Sequence, residues 1–382
     1  MENNLKFKNK KFRIMLVADP HENNEIGNKK GKAVIQDYLN FQYAAIRELK
    51  PDLVILMGDN ASGNSENELK QVLLRITKPY SDNNIPFAFV LGNHDLECDV
   101  NKLSVQYKIY RELPCCILPE ENNIDKYGDY NILIYSDKSN QPVLNLWFMY
   151  SGNIAEKRFY SHYAHIQSEQ IKWYENKSKQ LCEKYGRMIP AINFQHIPVP
   201  EEYELLKECS SVKLVNDAVA GQTENKGKYY ILDKTNTYGY MGEAPCTPSY
   251  NNGQFNSWKN TGDVFAAFFG HDHMNDFAGY VDEIMLGQCK TAGFRPYGDG
   301  LRQGVRIIDV NENSPDAICT KMVYYRDIIG KDCLSVNGME KTLRDRTGVK
   351  IDFIKSTAKF SAPVIIPVLS VAILKKIFSK QK

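Results

Sequence analysis

The sequence predicts an α/β protein organised around a parallel sheet, and three observations support this. Short apolar runs alternate with amphipathic stretches over residues 12–91, which gives the order β-α-β-α-β. Each apolar run ends in a polar turn. The run 263–269 is nearly all apolar and leads directly into Gly-His-Asp-His, which is typical of a buried strand. Since such sheets bind ligands beyond the carboxyl ends of their strands, we expect the functional site there.

In the first half, the apolar runs predict strands and the amphipathic stretches predict helices. The strands are expected at 12–18, 53–57 and 86–91, and the helices at 29–50 and 66–80. The polar turns after these strands are Asp19-Pro20-His21, Gly58-Asp59-Asn60 and Gly92-Asn93-His94-Asp95. In a doubly wound sheet these three turns lie at the same edge.

The second half predicts further strands around a long insertion. Residues 130–135 and 143–150 are expected to pair as antiparallel strands, because a short polar turn joins them. The other predicted elements are a helix at 167–185, a strand at 189–194, a short helix at 201–209 and closing strands at 279–286, 304–310 and 319–325. Residues 210–262 are interpreted as an irregular insertion near the site.

Composition and charge limit the class of protein and its partners. The 382 residues suit one large domain with extensions, and a net charge of +2 gives no reason to expect a nucleic acid. Residues 1–11 are basic and lack the apolar run of a secretory signal. The nine scattered cysteines are interpreted as reduced thiols. We therefore expect a cytoplasmic protein.

The boundaries follow from shifts in composition. The domain is expected at 12–328, after a basic segment at 1–11 and before a solvated polar extension at 329–361. The tail, 362–382, has about 13 apolar residues followed by lysines, fewer than the ~20 that span a bilayer. Basic residues beside an apolar segment favour anionic lipid, so the tail predicts contact with a membrane surface. Packing of the tail back onto the domain is the alternative.

Histidine is rare and clustered in this chain. Five of the seven histidines directly follow predicted strands, in turns that also contain Asp or Asn: His21, His94, His196, His271 and His273. Histidines of a core would be scattered through helices and strands instead. Two histidines in one turn are often ordinary loop residues, but the clustering of all five indicates a metal site.

The residue types fit two metal ions. Imidazole and carboxylate ligands together suit Mn, Fe or Zn. Asp19, His21 and His273 are expected to bind one ion, and Asn93, His196 and His271 the other, with Asp59 bridging both. Two ions about 3.5–4 Å apart are the arrangement used in phosphate-ester hydrolysis, with a bridging hydroxide as nucleophile.

His94 is left over beside the expected ligand Asn93. A histidine that binds no metal can stabilise the transferring phosphoryl group and protonate the leaving alkoxide. Asp95 is expected to orient His94 by accepting its other N–H. The alternative is a turn salt bridge without a role in chemistry.

These motifs, in this order, resemble the calcineurin-like metallophosphoesterases over residues 12–310. The motifs are Asp-x-His, Gly-Asp, Gly-Asn-His-Asp, a mid-chain His and Gly-His-x-His. The resemblance implies a four-layer α/β/β/α sandwich with a dinuclear centre of divalent or trivalent ions. Residues 194–203 and 270–277 resemble the purple-acid-phosphatase-related branch of cell-cycle-regulator type. Ser62 stands where true purple phosphatases have a tyrosine, so no iron–tyrosinate centre is expected.

The expected function is therefore a phosphomonoesterase that acts on a phosphorylated small molecule or a phosphoprotein. A phosphodiesterase or nuclease of the same fold is one alternative, although no cluster of Lys and Arg lies next to the motifs. A non-catalytic scaffold is another, although no ligand of the pattern is missing. Arg295, in a Gly-rich loop after the His271–His273 pair, is a candidate for binding the substrate phosphate.

Overall fold

A computed structural model describes four ranges of the chain: residues 5–119, 124–153, 163–210 and 217–336. The predicted tail at 362–382 lies outside the described residues, as does the extension from 337 onward. Contact of the tail with a membrane surface therefore stays a prediction. No helix within the described ranges has the length and apolar character needed to cross a bilayer.

The described residues form strands and helices that alternate along the first half of the chain. The strands are β1 (Lys11–Val17), β2 (Leu53–Met57), β3 (Phe87–Val90), β4 (Tyr130–Tyr135), β5 (Pro142–Phe148), β6 (Ala191–Phe194), β7 (Leu206–Cys209), β8 (Val219–Ala220), β9 (Tyr229–Leu232), β10 (Thr237–Tyr238), β11 (Val264–Phe269), β12 (Ala278–Val281), β13 (Ile284–Gln288), β14 (Gly304–Asn311) and β15 (Ser314–Tyr324). The α-helices are α1 (Lys29–Leu49), α2 (Glu66–Asp82), α3 (Leu103–Arg111), α4 (Ile124–Tyr127), α5 (Ser168–Tyr185), α6 (Gln254–Thr261) and α7 (Tyr325–Ile328).

The first sheet has the strand order β15-β14-β1-β2-β3, in which β1, β2 and β3 are parallel. The predicted β-α-β-α-β order is thereby confirmed. The side chains of Asn28 and Ser65 cap α1 and α2 by accepting hydrogen bonds from backbone N–H groups of the first turn. Both helices bury their apolar faces in the core that contains β1, β2 and β3.

The second sheet has the order β10-β12-β13-β11-β6-β5-β4 and packs between the first sheet and α5 and α6. Successive residues of β11 belong to different cores: Ala266 and Phe268 join the first sheet's core, whereas Ala267 and Phe269 join the core of α5 and α6. This period of two is what a strand buried on both faces requires. The result is the predicted α/β/β/α sandwich.

One of the three predicted closing strands differs from the structure. The strand expected at 279–286 is the hairpin β12–β13, which turns at Asp282 and Glu283 with φ values of 45° and 70°. Positive φ at both central residues is typical of a tight hairpin turn. The strands expected at 304–310 and 319–325 are β14 and β15, and they complete the first sheet, because β14 pairs antiparallel with β1.

The region after β6 is more regular than predicted. The helix expected at 201–209 is a 3-10 helix, Pro200–Leu205, followed directly by β7. The insertion expected to be irregular at 210–262 contains β8, β9, β10 and α6. Strand β9 lies between β7 and β8 in a small three-stranded sheet. The strands are short, and β7 pairs with β9 although β8 lies between them in the sequence, so local composition gives no sign of the pairing.

Both ends of the domain make hydrogen bonds with the rest of it, although their composition is polar. In the basic N-terminal segment, Phe7 is fully buried and its N–H donates to the carbonyl of Tyr135 at 2.9 Å. At the start of the extension, the buried Asp37 carboxylate accepts the backbone N–H groups of Leu334 and Ser335 at 2.8 and 2.7 Å. The backbone at the start of the extension is therefore held to α1 through Asp37.

Candidate metal centre

The seven predicted metal ligands lie in five loops that follow the carboxyl ends of parallel strands in both sheets. The loops come after β1, β2, β3, β6 and β11. Backbone hydrogen bonds join these loops: Asp19 N–H donates to the Gly58 carbonyl at 3.1 Å, and Gly270 N–H to the His196 carbonyl at 3.1 Å. The packing of the two sheets thus brings the seven side chains to one place.

Six of these side chains form two compact groups with ligand atoms close enough to hold a cation. The groups are Asp19, His21 and His273, and Asp59, His196 and His271. In the first group, Asp19 Oδ1 lies 3.4 Å from His273 Nε2. The division between the groups is the one expected from the sequence.

Asp59 links the two groups. Its Oδ2 atom lies 3.2 Å from His196 Nε2 and 3.4 Å from His21 Nε2, so one oxygen faces a histidine of each group. Its Oδ1 atom accepts the backbone N–H of His94 at 2.7 Å. The position between the groups is the one that a bridging carboxylate would occupy.

Two of the histidines have a fixed tautomer. His196 Nδ1 lies 2.8 Å from the Met57 carbonyl, and His273 Nδ1 lies 3.0 Å from the Tyr297 carbonyl. Because a carbonyl can only accept, each Nδ1 carries the proton, and Nε2 is the free nitrogen of the neutral ring. This pattern is common in metal-binding histidines, since the carbonyl fixes the ring and leaves Nε2 for the metal.

Several buried polar atoms at this place have no hydrogen-bond partner. They are Asp19 Oδ1, Asp59 Oδ2, Asn93 Oδ1, His196 Nε2 and His271 Nε2. Each unpaired buried group costs about 1–3 kcal/mol, so their concentration here requires a compensating partner. The five atoms are oxygens and imidazole nitrogens, the donor set that Mn, Fe or Zn ions accept. The residues therefore fit the two ions that the sequence implies.

The backbone is strained at the same residues. Asp19, His21, Asp59 and His271 have φ values of 52°, 49°, 50° and 72°, in the left-handed region that non-glycine residues rarely adopt. Such conformations cluster at functional sites, where the surrounding structure holds them. Gly92 lets the loop after β3 approach the loop after β2 closely, because a Cβ at this position would collide with the Asp59 carboxylate.

Burial and mutual charge shift the pKa values of the ligand groups. Burial raises the pKa of Asp59, but the neighbouring His196 and His21 more than offset this, so its net pKa lies below the usual value. Burial lowers the pKa of His21 to about 4 and that of His271 to about 3. For His196, the carboxylates of Asp59 and Asp19 outweigh burial and raise the pKa to about 10. Because histidine and carboxylate ligands must be deprotonated to coordinate a cation, metal binding at these residues is expected to depend on pH.

His94 lies at the wall of a cleft beside the two groups. Its ring centroid is 5.3 Å from that of His21, and about half of its side chain is exposed. The cleft has a volume of about 680 Å³ and is also lined by His21, Asp59 and Arg295. His94 can therefore face a molecule bound next to the ligand groups.

The prediction that Asp95 orients His94 is wrong. The Asp95 carboxylate is buried and accepts three backbone N–H groups, from Asn60 at 2.8 Å, Ala61 at 3.1 Å and Gly92 at 2.7 Å. It thus ties the loop after β2 to the loop after β3. Burial and the charge of Asp59 raise the pKa of Asp95 to about 7. The His94 ring contacts Glu97 instead, a residue that the sequence analysis did not select.

Arg295 lines the cleft as expected, but its guanidinium is already paired. Its Nη2 atom lies 3.0 Å from Oε2 of Glu22, a fully buried carboxylate in the loop after β1. Glu25 lies beside the same guanidinium, with its Oε2 atom 3.7 Å from Nη1. The predicted role in phosphate binding stays a prediction, and Arg295 has a structural role as the partner of Glu22.

A buried lysine supports the loop that contains His271 and His273. Lys290 is fully buried, with Nζ 2.9 Å from Asp276 Oδ2 and 2.9 Å from Asp299 Oδ2. Lys290→Met is expected to lower the free energy of unfolding by about 3–5 kcal/mol, because two buried carboxylates lose their shared counter-charge. Urea unfolding followed by circular dichroism measures this change.

Lys259→Met is the matched control for this variant. Lys259 Nζ pairs with Asp282 Oδ2 at 2.5 Å, but both side chains are exposed, and such pairs contribute about 0–1 kcal/mol. Equal losses in the two variants would show that the buried cation does not stabilise the loop.

Comparisons with a family model and with related sequences agree on one family. The model of the calcineurin-like phosphoesterase family matches residues 12–275. "Probable inactive purple acid phosphatase 29" of Arabidopsis thaliana is 28% identical over 336 residues, which cover 80% of this chain and 78% of the relative. The phosphatase DCR2 of Saccharomyces cerevisiae is 26% identical over 279 residues, covering 69% of this chain and 44% of the relative.

Among solved structures, a dimetal phosphatase from Danio rerio is similar over 82% of this chain and 99% of its own, with a TM-score of 0.46 and 12% identity. The family match covers more than half of the chain and includes all seven predicted ligands. The chain belongs to the calcineurin-like phosphoesterase family.

Proposed function

We propose that the chain is a phosphomonoesterase that depends on two metal ions. The observation that carries this proposal is the position of Asp59 between two groups of buried ligands, with His94 on the wall of the adjoining cleft. Two bound cations would supply Lewis acidity and an activated water to a phosphate ester. The metals are Mn, Fe or Zn, from the donor set.

The roles of the residues follow from their contacts. The two ligand groups would hold the cations, with Asp59 and Asn93 supplying oxygen ligands. The carbonyls of Met57 and Tyr297 keep the Nε2 atoms of His196 and His273 free for coordination. His94 would donate to the phosphoryl oxygens and protonate the leaving oxygen, as a positioned general acid does.

The charge of the cleft supports a monoester over a nucleic acid. Glu25, Glu68 and Glu97 line it, whereas Arg295 is the one permanently positive side chain among the described lining residues. Arg295 is itself paired with Glu22. A polyanionic strand needs several cations along its path, and carboxylates repel it. The expected substrate is a phosphorylated small molecule or a phosphoprotein.

The name of the plant relative includes the words "probable inactive", which keeps a non-catalytic scaffold as the second candidate. A scaffold has no need of the complete donor set or of a histidine facing the cleft. This chain has all seven ligand residues of the pattern together with His94. The yeast relative is named a phosphatase, which also supports catalysis.

The test is hydrolysis of an aryl phosphomonoester, an aryl phosphodiester and single-stranded DNA by protein reconstituted separately with Mn, Fe and Zn. We expect turnover of the monoester with at least one metal and slower turnover of the diester. Faster cleavage of the diester or of DNA would replace the proposal with a phosphodiesterase or nuclease. Bound metal without turnover of any of the three would favour the scaffold.

A further inference from the structure

We propose that Glu97 is the positioning residue for His94, the role that the sequence had suggested for Asp95. This inference rests on the proposed function, because it concerns how the acid of that reaction is oriented. Glu97 Oε2 lies 2.5 Å from His94 Nδ1. An ionised carboxylate can only accept, so Nδ1 carries a proton and its N–H donates a hydrogen bond to Glu97. The other ring nitrogen, Nε2, is then the one left to act on a substrate.

The backbone around this pair is held from several sides. His94 N–H donates to Asp59, and Glu97 N–H donates back to the His94 carbonyl at 3.2 Å, which closes a turn. The buried Gln106 side chain donates to the carbonyls of Asp95 at 2.5 Å and Val100 at 2.8 Å. Glu97 and His94 are therefore fixed relative to each other and to the bridging carboxylate.

The location of the pair indicates a role in chemistry as well as in packing. Both side chains line the cleft and are partly exposed, 52% for His94 and 38% for Glu97. An exposed ion pair of this kind contributes little to folding stability. A carboxylate on Nδ1 does two things for an acid that works through Nε2. It fixes the plane of the ring and keeps the proton on Nδ1, as in other carboxylate–histidine pairs.

The experiment compares Glu97→Ala with the wild type on aryl phosphomonoesters that have poor and good leaving groups. We expect kcat to fall about 10- to 100-fold for the poor leaving group, the range usual for such supporting groups. The loss should shrink for the good leaving group, which needs no proton. KM and metal content should change little, and Glu97→Gln, which keeps an acceptor for Nδ1–H, should recover part of the rate.

Two controls separate positioning from a general loss of negative charge. Glu112→Gln removes an exposed carboxylate that pairs with Lys70 and does not line the cleft, and it should keep the wild-type kcat. In the His94→Ala background, Glu97→Ala should cause no further loss, because its effect passes through His94. An equal loss in both backgrounds would overturn the inference.

NMR spectroscopy of protein labelled with ¹⁵N-histidine tests the inference without measuring turnover. The hydrogen bond from Nδ1–H to Glu97 predicts an Nδ1–H proton resonance of His94 that is present in the wild type and absent in both Glu97→Ala and His94→Ala. If the wild type hydrolyses monoesters but Glu97→Ala keeps its kcat and its resonance, the inference alone fails. A wild type that hydrolyses no ester removes the proposed function and this inference together.

Discussion

Asp59→Asn is expected to lose bound metal and to abolish turnover, the largest effect of any single substitution in the site. The Oδ2 atom of Asp59 faces a histidine of each ligand group, at 3.2 Å for His196 and 3.4 Å for His21. Asparagine has the same shape but is neutral, and it replaces one of the two oxygens with an N–H donor. A donor cannot coordinate a cation, and the remaining oxygen is a weaker bridge.

Metal analysis after dialysis, together with hydrolysis of an aryl phosphomonoester, measures both effects. Asp37→Asn is the matched control, since Asp37 is equally buried but binds the backbone of Leu334 and Ser335. This control should keep the metal content of the wild type. Full activity of Asp59→Asn with two bound ions would contradict the bridging role.

His94→Ala is expected to keep both metals and to lose on the order of 10²–10⁴ in kcat, the usual contribution of a positioned acid–base group. The ligand atoms of the two groups are unaffected, because the contact of His94 with Asp59 is made by its backbone N–H. The loss should be largest for alkyl phosphates, whose leaving oxygen needs a proton.

Kinetics with a series of leaving groups and metal analysis of the same preparations test this second prediction. A flat loss across the series would indicate that His94 binds the phosphoryl group without protonating the leaving oxygen. A fall in metal content would show that His94 is itself a ligand or supports one.

The convergence of the seven expected ligands could be predicted because each of them follows a strand whose apolar run is visible in the sequence. Parallel strands place their carboxyl ends together, so Asp19, Asp59 and Asn93 have to meet at one edge. The site of His271 and His273 follows from the same rule applied to β11. No contact between side chains was needed for these predictions, only the direction of the strands.

The side-chain contacts that the sequence did not predict depend on how side chains are buried. Asp95 is next to His94, but the backbone turns its carboxylate inward to three N–H groups. Glu97 is three residues away, the spacing at which residues of a helical turn meet, and this was the available signal. The pair of Arg295 and Glu22 joins loops 273 residues apart, so nothing local in the sequence indicates it.

The central claim is a pair of metal ions shared through Asp59 and used for hydrolysis. The most direct measurement adds Mn, Fe or Zn stepwise to metal-free wild-type protein and follows bound metal and aryl phosphomonoester hydrolysis in the same samples. The account predicts that two ions bind per chain and that turnover appears as the second ion binds. One ion at saturation, or two ions without turnover for all three metals, would contradict it.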